Sequence, residues 1–362
     1  SKRLISNWEH YKGSLGGPWE VWRGDKLANH YNVPWHEVEL PHCYNALDCV
    51  DPDTIYYQGP GWYRTKLDVE NLYSNGRTLL HFEGAGQKTE VYVYTWKVSS
   101  HIGGYDEFIV DITDMVDRAK EIERYKGKIP IAVMCDNSRD LEMSPSDISD
   151  FNLYGGIYRY LNLVYVPAIS IDYVHIETRE ISENSAQLFI KSKLYNPEEL
   201  NEELDLEILI IGPDGRQLEN VSFSSTPWEG EKEIGRFTVE EPKLWSPDSP
   251  NLYTCKVKLN TSSGQTEKAG RFGIRFFEFV KNGPFMLNGE RLLIKGTQRH
   301  EDHAGVGAAM DEELIEKEMK LIKDMGANFV RLGHYQQSRI VLDLCDELGL
   351  LVWEEIPWCR GG

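Results

Sequence analysis

The sequence predicts a mostly β, multidomain chain: a jelly-roll β-sandwich, an immunoglobulin-like β-sandwich, and then the first three strands of a (β/α)8 barrel. Three observations carry this expectation. Short alternating strands separated by turn signals run from Gly61 to Pro167, and a second such run begins near Ile169. After Lys281 the pattern changes to strand, helix, strand, helix, strand. A chain of 362 residues is too long for one ordinary core, and its 41% apolar content suits packed domains. The expected domains are 1–168, 169–276 and 277–362.

In Tyr63–Val69, Tyr63, Leu67 and Val69 share one face while Arg64, Lys66 and Asp68 share the other, which is the pattern of a half-buried strand. Further strands are expected over Thr78–Phe82, Glu90–Val98, Phe108–Ile112, Ile129–Met134 and Ile157–Val166. They would assemble as a sandwich or jelly roll. In the second run, strands are expected over Gln187–Leu194, Leu204–Ile211, Glu233–Val239, Tyr253–Leu259 and Glu267–Phe277, with a turn at Pro213-Asp214-Gly215. That is about the size of an immunoglobulin-like sandwich.

The third region should open with an apolar strand, Arg291–Gly296. An amphipathic helix, Asp311–Met325, follows, with Leu314, Ile315, Met319, Ile322 and Met325 on one side. Asp311 suits its start and Gly326 its end. Strand Ala327–Leu332, helix Gln337–Leu348 stopped by Gly349, and strand Leu350–Glu355 complete the run. Alternating strands and helices predict a parallel sheet. Such a sheet needs cover on both faces, so the sequence is expected to stop inside a barrel, leaving Leu350, Leu351 and Val352 incompletely covered.

Composition excludes some functions. The 39 Lys and Arg against 58 Asp and Glu give a net charge of −19, a field that repels a phosphate backbone and opposes nucleic-acid binding. No run of about 18 apolar residues is present, so membrane insertion is not expected. The 10 Trp and 19 Tyr are read first as sandwich core and second as sugar-stacking surface. The six cysteines show neither a zinc-type pair nor a disulfide framework. No cofactor or metal is expected from these residues. The opening residues Ser1–Ser6 lack an apolar leader segment. Compartment, bacterial periplasm or cytoplasm, and homo-oligomerisation stay open.

Asn328-Phe329-Val330-Arg331-Leu332-Gly333-His334-Tyr335, followed by Asp346–Trp353, resembles the first signature of family 2 glycoside hydrolases. Leu332 replaces a small residue of that pattern, and Gln336 a proline. Lys295–His303 resembles the strand-one segment of the family's β-galactosidases, with Gln298 in place of Asn. Leu244-Trp245-Ser246-Pro247, Pro250–Tyr253 and Arg271–Arg275 agree with the same family. The resemblance covers the whole chain in order and implies a retaining exo-β-glycosidase acting on carbohydrate by double displacement. It points most to a β-galactosidase, with a β-glucuronidase as the alternative. The latter is suggested by Glu355-Ile356-Pro357 and by Asp150–Arg159, where Asp150 resembles a substrate-contacting Asp. A third reading, from another class, is a non-catalytic carbohydrate-binding protein.

Retaining glycosidases need two carboxyl groups about 5 Å apart. The resemblance places both glutamates on later barrel strands, so no catalytic residue is expected before Gly362 and the 362 residues alone should be inactive. It implies that Arg331 supports the nucleophilic carboxylate; a structural ion pair is the competing reading. His334 is expected to meet a sugar hydroxyl unless it is merely structural. Arg299, His300 and Asp302 follow strand one and are expected near the sugar, whereas Glu301 and His303 read as solvated surface. Glu354 and Glu355 cannot form the catalytic pair, because strand neighbours face opposite ways, so at most one of them faces the sugar. Trp358 and Arg360 could add a stacking platform and a clamp. Arg331, His334 and Arg299 are expected to converge on one cavity, with Asp150 facing it.

Overall fold

The computed structural model describes residues 2–23, 33–145 and 149–358. In the first 166 residues two antiparallel sheets enclose one core. The smaller runs in the order Lys2–Leu4, Leu161–Val166, Arg77–Phe82, Phe108–Asp111; the larger runs His36–Val38, Trp8–Lys12, Pro60–Leu67, Ile129–Asp136, Lys88–Val93, Trp96–Ile102. Trp8, Tyr63, Val91 and Ile131 from the larger sheet meet Leu80, Phe82 and Leu163 from the smaller. Alternation dictates this arrangement, and each fully buried Leu or Ile contributes about 1.5–3 kcal/mol. The expected single strand Glu90–Val98 is instead a hairpin that turns at Tyr94, whose φ is 55°. Uninterrupted β-propensity across that turn concealed it. Trp62, Tyr92 and Ala132 face outward from the larger sheet yet are buried beneath Val21 and Trp22, a second layer the alternation did not announce.

A second pair of antiparallel sheets follows. Ser170–Arg179, Ser185–Tyr195 and Glu231–Glu240 form one; Gln217–Ser225, Leu204–Ile211, Tyr253–Thr261 and Gly264–Phe272 form the other. Leu204, Leu206, Ile208 and Ile210 point into their shared core, as the period of two requires. The last strand ends at Phe272 rather than Phe277.

Beyond Phe285 the chain builds a parallel sheet: β1 (Gly296–Arg299), α1 (Glu312–Asp324), β2 (Phe329–Leu332), α2 (Arg339–Leu348) and β3 (Leu351–Glu354). Asp311 caps α1 by accepting from Leu314 N at 2.9 Å, and Gly349 ends α2 with φ 71°, a conformation few other residues adopt at low cost. Ile315 and Met319 are buried, while Met325, expected on the same face, is 65% exposed. The helix ends before Met325, which releases it to the surface.

The first barrel strand lies further along the chain than the apolar run Arg291–Gly296 suggested. The Asn328 side chain accepts from Lys295 N at 2.8 Å and donates to Leu293 O at 2.9 Å, so pairing with β2 begins only at Gly296. At Gly296 a Cβ would lie 2.6 Å from Phe329 O, a close approach that requires glycine. Leu350 and Leu351 are covered, contrary to expectation. Leu350 packs beneath the helices, and Leu351 meets Trp245, Leu287 and Phe329. Leu293, Trp353 and Ile356 are instead among the exposed apolar residues of this region. No helix among the described residues is long and apolar enough to cross a membrane.

Candidate active site

Parallel pairing sets Gln298, Arg331 and Trp353 side by side on one face of β1–β3, and Arg299, Leu332 and Glu354 on the other. The second face packs against α1 and α2 through Val330, Leu332, Ile315 and Val341. The first is therefore the concave, lumen side.

Arg331 organises the lumen side. Its Nε lies 2.6 Å from Glu355 Oε1 and its Nη2 3.1 Å from Oε2, a bidentate grip, while Nη1 donates to Gln298 Oε1 at 2.7 Å. His334 Nδ1 stands 3.0 Å from Arg331 Nη2 and 3.2 Å from Glu355 Oε2. With the hydrogen on Nδ1 the ring donates to Glu355; in the other tautomer it accepts from Arg331. Burial pushes the Glu355 carboxyl up, but the Arg331 and His334 hydrogen bonds outweigh it and hold the group below its ordinary value.

Residues from the first pair of sheets complete this rim. The Phe151 ring stacks on His334 at 5.7 Å and approaches His300 at 6.1 Å and Tyr335 at 5.4 Å. Burial lowers the His300 pKa; Asp302 and Asp150 oppose that shift while His334 and Arg331 reinforce it, so the exposed Asp150 is electrostatically close to the same cluster. Tyr154 of the first pair of sheets donates to Asp302 Oδ2 at 3.0 Å. The rim thus combines a donor-only guanidinium, acceptor-only carboxylates, an amide and imidazoles beside aromatic rings. Sugar hydroxyls are both donors and acceptors, and such a set can grip them.

Several expectations need correction. Arg299 does not reach the lumen: as the last residue of β1 it faces the helices, where it meets Glu318 Oε2 at 3.1 Å and the Gln337 side chain. Strand parity reserves the lumen position for Gln298. Glu301 is 4% exposed and pairs with Arg159, so it is not solvated surface. His303, by contrast, is exposed as expected and pairs with Glu318. Glu354 accepts from Gln337 N at 3.3 Å on the helix side, opposite Glu355. Trp358 is 67% exposed just past β3, in a loop tied to the first pair of sheets where Ser144 Oγ donates to Pro357 O at 2.8 Å. Arg360 lies outside the described residues.

Sequence reasoning missed Phe151, Tyr335, Tyr105 and Arg159, which meet only because the two halves dock. Counting alternate residues back from Arg331's neighbours could have found Gln298; Phe151, Arg159 and Tyr335 lie inside segments that the resemblance singled out without giving them a role, and nothing local marks Tyr105.

The chain matches two parts of one family: residues 169–275 fit the model described as Glycosyl hydrolases family 2, and residues 279–359 the Glycosyl hydrolases family 2, TIM barrel domain. A solved β-glucuronidase from Parabacteroides merdae superposes with a TM-score of 0.96 at 51% identity, over 100% of this chain and 46% of that one. Bacteroides uniformis β-glucuronidase 3 gives 0.92 and 51%, with the same coverage. A β-galactosidase of Thermoanaerobacterium thermosulfurigenes is 30% identical over 98% of this chain and 48% of its own length. The chain spans less than half the length of each of these relatives.

Proposed function

Since the chain belongs to glycoside hydrolase family 2, we propose that the full-length protein is a retaining exo-β-glycosidase, and that its substrate is a β-glucuronide. The observation carrying the sugar assignment is the 51% identity to solved β-glucuronidases along the entire chain. In this reading residues 1–168 are a jelly roll, 169–276 an immunoglobulin-like domain and 277–362 the opening of the catalytic barrel.

The geometry supports a role for these residues in binding and positioning rather than in bond cleavage. Among the described residues of β1–β3 and the residue that follows β3, Glu355 is the one carboxylate facing the lumen, whereas double displacement needs two about 5 Å apart. The nucleophile and the acid/base belong, on this account, to later barrel strands. Arg331 would there share its fork between Glu355 and the nucleophile, keeping both ionised. Asp150 and Phe151 wall one side of the strand ends, which suits a pocket for a terminal sugar and hence exo action. A β-galactosidase is the second reading, favoured by the His300 segment and by the Thermoanaerobacterium relative.

The test is proton NMR of the first-formed product. Release of the β-anomer, mutarotating later to the α form, is expected for double displacement. Initial release of the α-anomer would reject that mechanism.

A further inference from the structure

A buried ion pair joins the first pair of sheets to the barrel loops. Arg159 Nε lies 2.9 Å from Glu301 Oε1, with the two side chains 6% and 5% exposed. Each partner also holds the backbone of the segment after β2. Arg159 Nη2 donates to Gln336 O at 2.7 Å, and Glu301 Oε2 accepts from Ser338 N at 2.7 Å. Between those points the Tyr335 hydroxyl accepts from Glu301 N at 3.1 Å, and its ring stacks on Tyr105 at 4.1 Å. Arg159 spends another donor on Tyr105 O at 2.8 Å. The segment carrying His334 is therefore fastened at residues 336 and 338 by this pair, at 335 by the Glu301 backbone and at 337 by Arg299, while neither Arg159 nor Glu301 contacts Arg331 or Glu355.

We propose that Arg159 and Glu301 are positioning residues for the sugar site: by pinning residues 335–338 they fix where His334 stands against Phe151, Arg331 and Glu355. This rests on the glycosidase reading above. The chemistry explains why a pair is used rather than packing. Gln336 O needs a donor and Ser338 N an acceptor, and an arginine joined to a glutamate offers both from one rigid, charge-assisted unit. Surface ion pairs would slide; this one is dry and hydrogen-bonded on both sides.

The experiment uses the full-length protein with Arg159→Gln, Glu301→Gln, the conservative Arg159→Lys, and the double apolar replacement Arg159→Met with Glu301→Leu. Arg339→Gln serves as the control, since it removes the exposed ion pair with Glu107 across the same seam without touching the 335–338 backbone. Amide hydrogen exchange over 333–338 should rise about tenfold in both Gln variants and stay at the wild-type rate in the control. On β-glucuronide, kcat should fall about 10- to 100-fold with KM within about threefold, and Arg159→Lys should recover part of it. The double replacement should still fold, because apolar pairs often substitute for buried ions, but with a lowered melting temperature and slow turnover, because nothing then holds Gln336 O and Ser338 N. Restored activity in the folded double variant would overturn the proposal, as would unchanged loop exchange in both Gln variants. The exchange measurement needs no substrate. If the wild-type protein cleaves no β-glycoside, the functional reading fails while exchange still decides the clamp.

Discussion

Arg331 holds Glu355 with both arms of its guanidinium, Nε to Oε1 at 2.6 Å and Nη2 to Oε2 at 3.1 Å. A lysine can supply the charge but not the fork. Arg331→Lys in the full-length protein should therefore lower kcat about 100-fold, the scale on which one preorganised donor acts. The Arg331 side chain is 36% exposed, so thermal unfolding should move by no more than about 1 kcal/mol. Steady-state kinetics and a melting curve on one preparation check both parts.

The seam between the first pair of sheets and the barrel should loosen in acid. Burial pushes the Glu107 carboxyl up, but His81 and Arg339 dominate and bring it from 4.5 down to about 2. A depressed carboxyl stabilises the fold above its unfolded value and loses that contribution as pH falls toward its folded value. Wild type should exceed Glu107→Gln in melting temperature at neutral pH. The gap should close as pH drops from 4.5 to about 2. A gap that widens in acid would show that Glu107 is not the group responsible.

Asp150 is exposed and electrostatically near His300. Asp150→Asn should reduce kcat/KM by about tenfold or more, as loss of one charged contact to substrate does, and leave stability within about 0.5 kcal/mol. Unchanged kinetics on every β-glycoside would reduce it to a loop residue.

Much of this architecture was legible because alternation and helical period are local. Leu204–Ile211 and α1 appear within a residue or two of where their patterns lie. The apolar run Arg291–Gly296 misled because its pattern carries no register, which the Asn328 side chain sets from across the sheet. The site was half legible. Arg331, His334 and Glu355 sit together on the lumen side, whereas Arg299 failed on parity alone. Phe151, Arg159 and Glu301 acquire their meaning from docking between segments more than 140 residues apart, as the 142-residue separation of Arg159 and Glu301 illustrates. No single-sequence period encodes such contacts.

Residues 1–362 prepared alone should release no nitrophenol from any β-glycoside, since Glu354 and Glu355 face opposite sides of β3 and cannot flank one sugar. Activity that survives purification of this piece would place the catalytic carboxyls inside it and overturn the assignments made for Arg331 and Glu355.

The most direct test of the whole account is kcat/KM of the full-length protein on nitrophenyl β-glucuronide and nitrophenyl β-galactoside, measured side by side. The account predicts hydrolysis of the glucuronide with a preference of about 100-fold or more, the discrimination that a site pairing a substrate carboxylate achieves when that charge is missing. Preference for the galactoside would contradict the sugar assignment, and cleavage of neither would contradict the glycosidase itself.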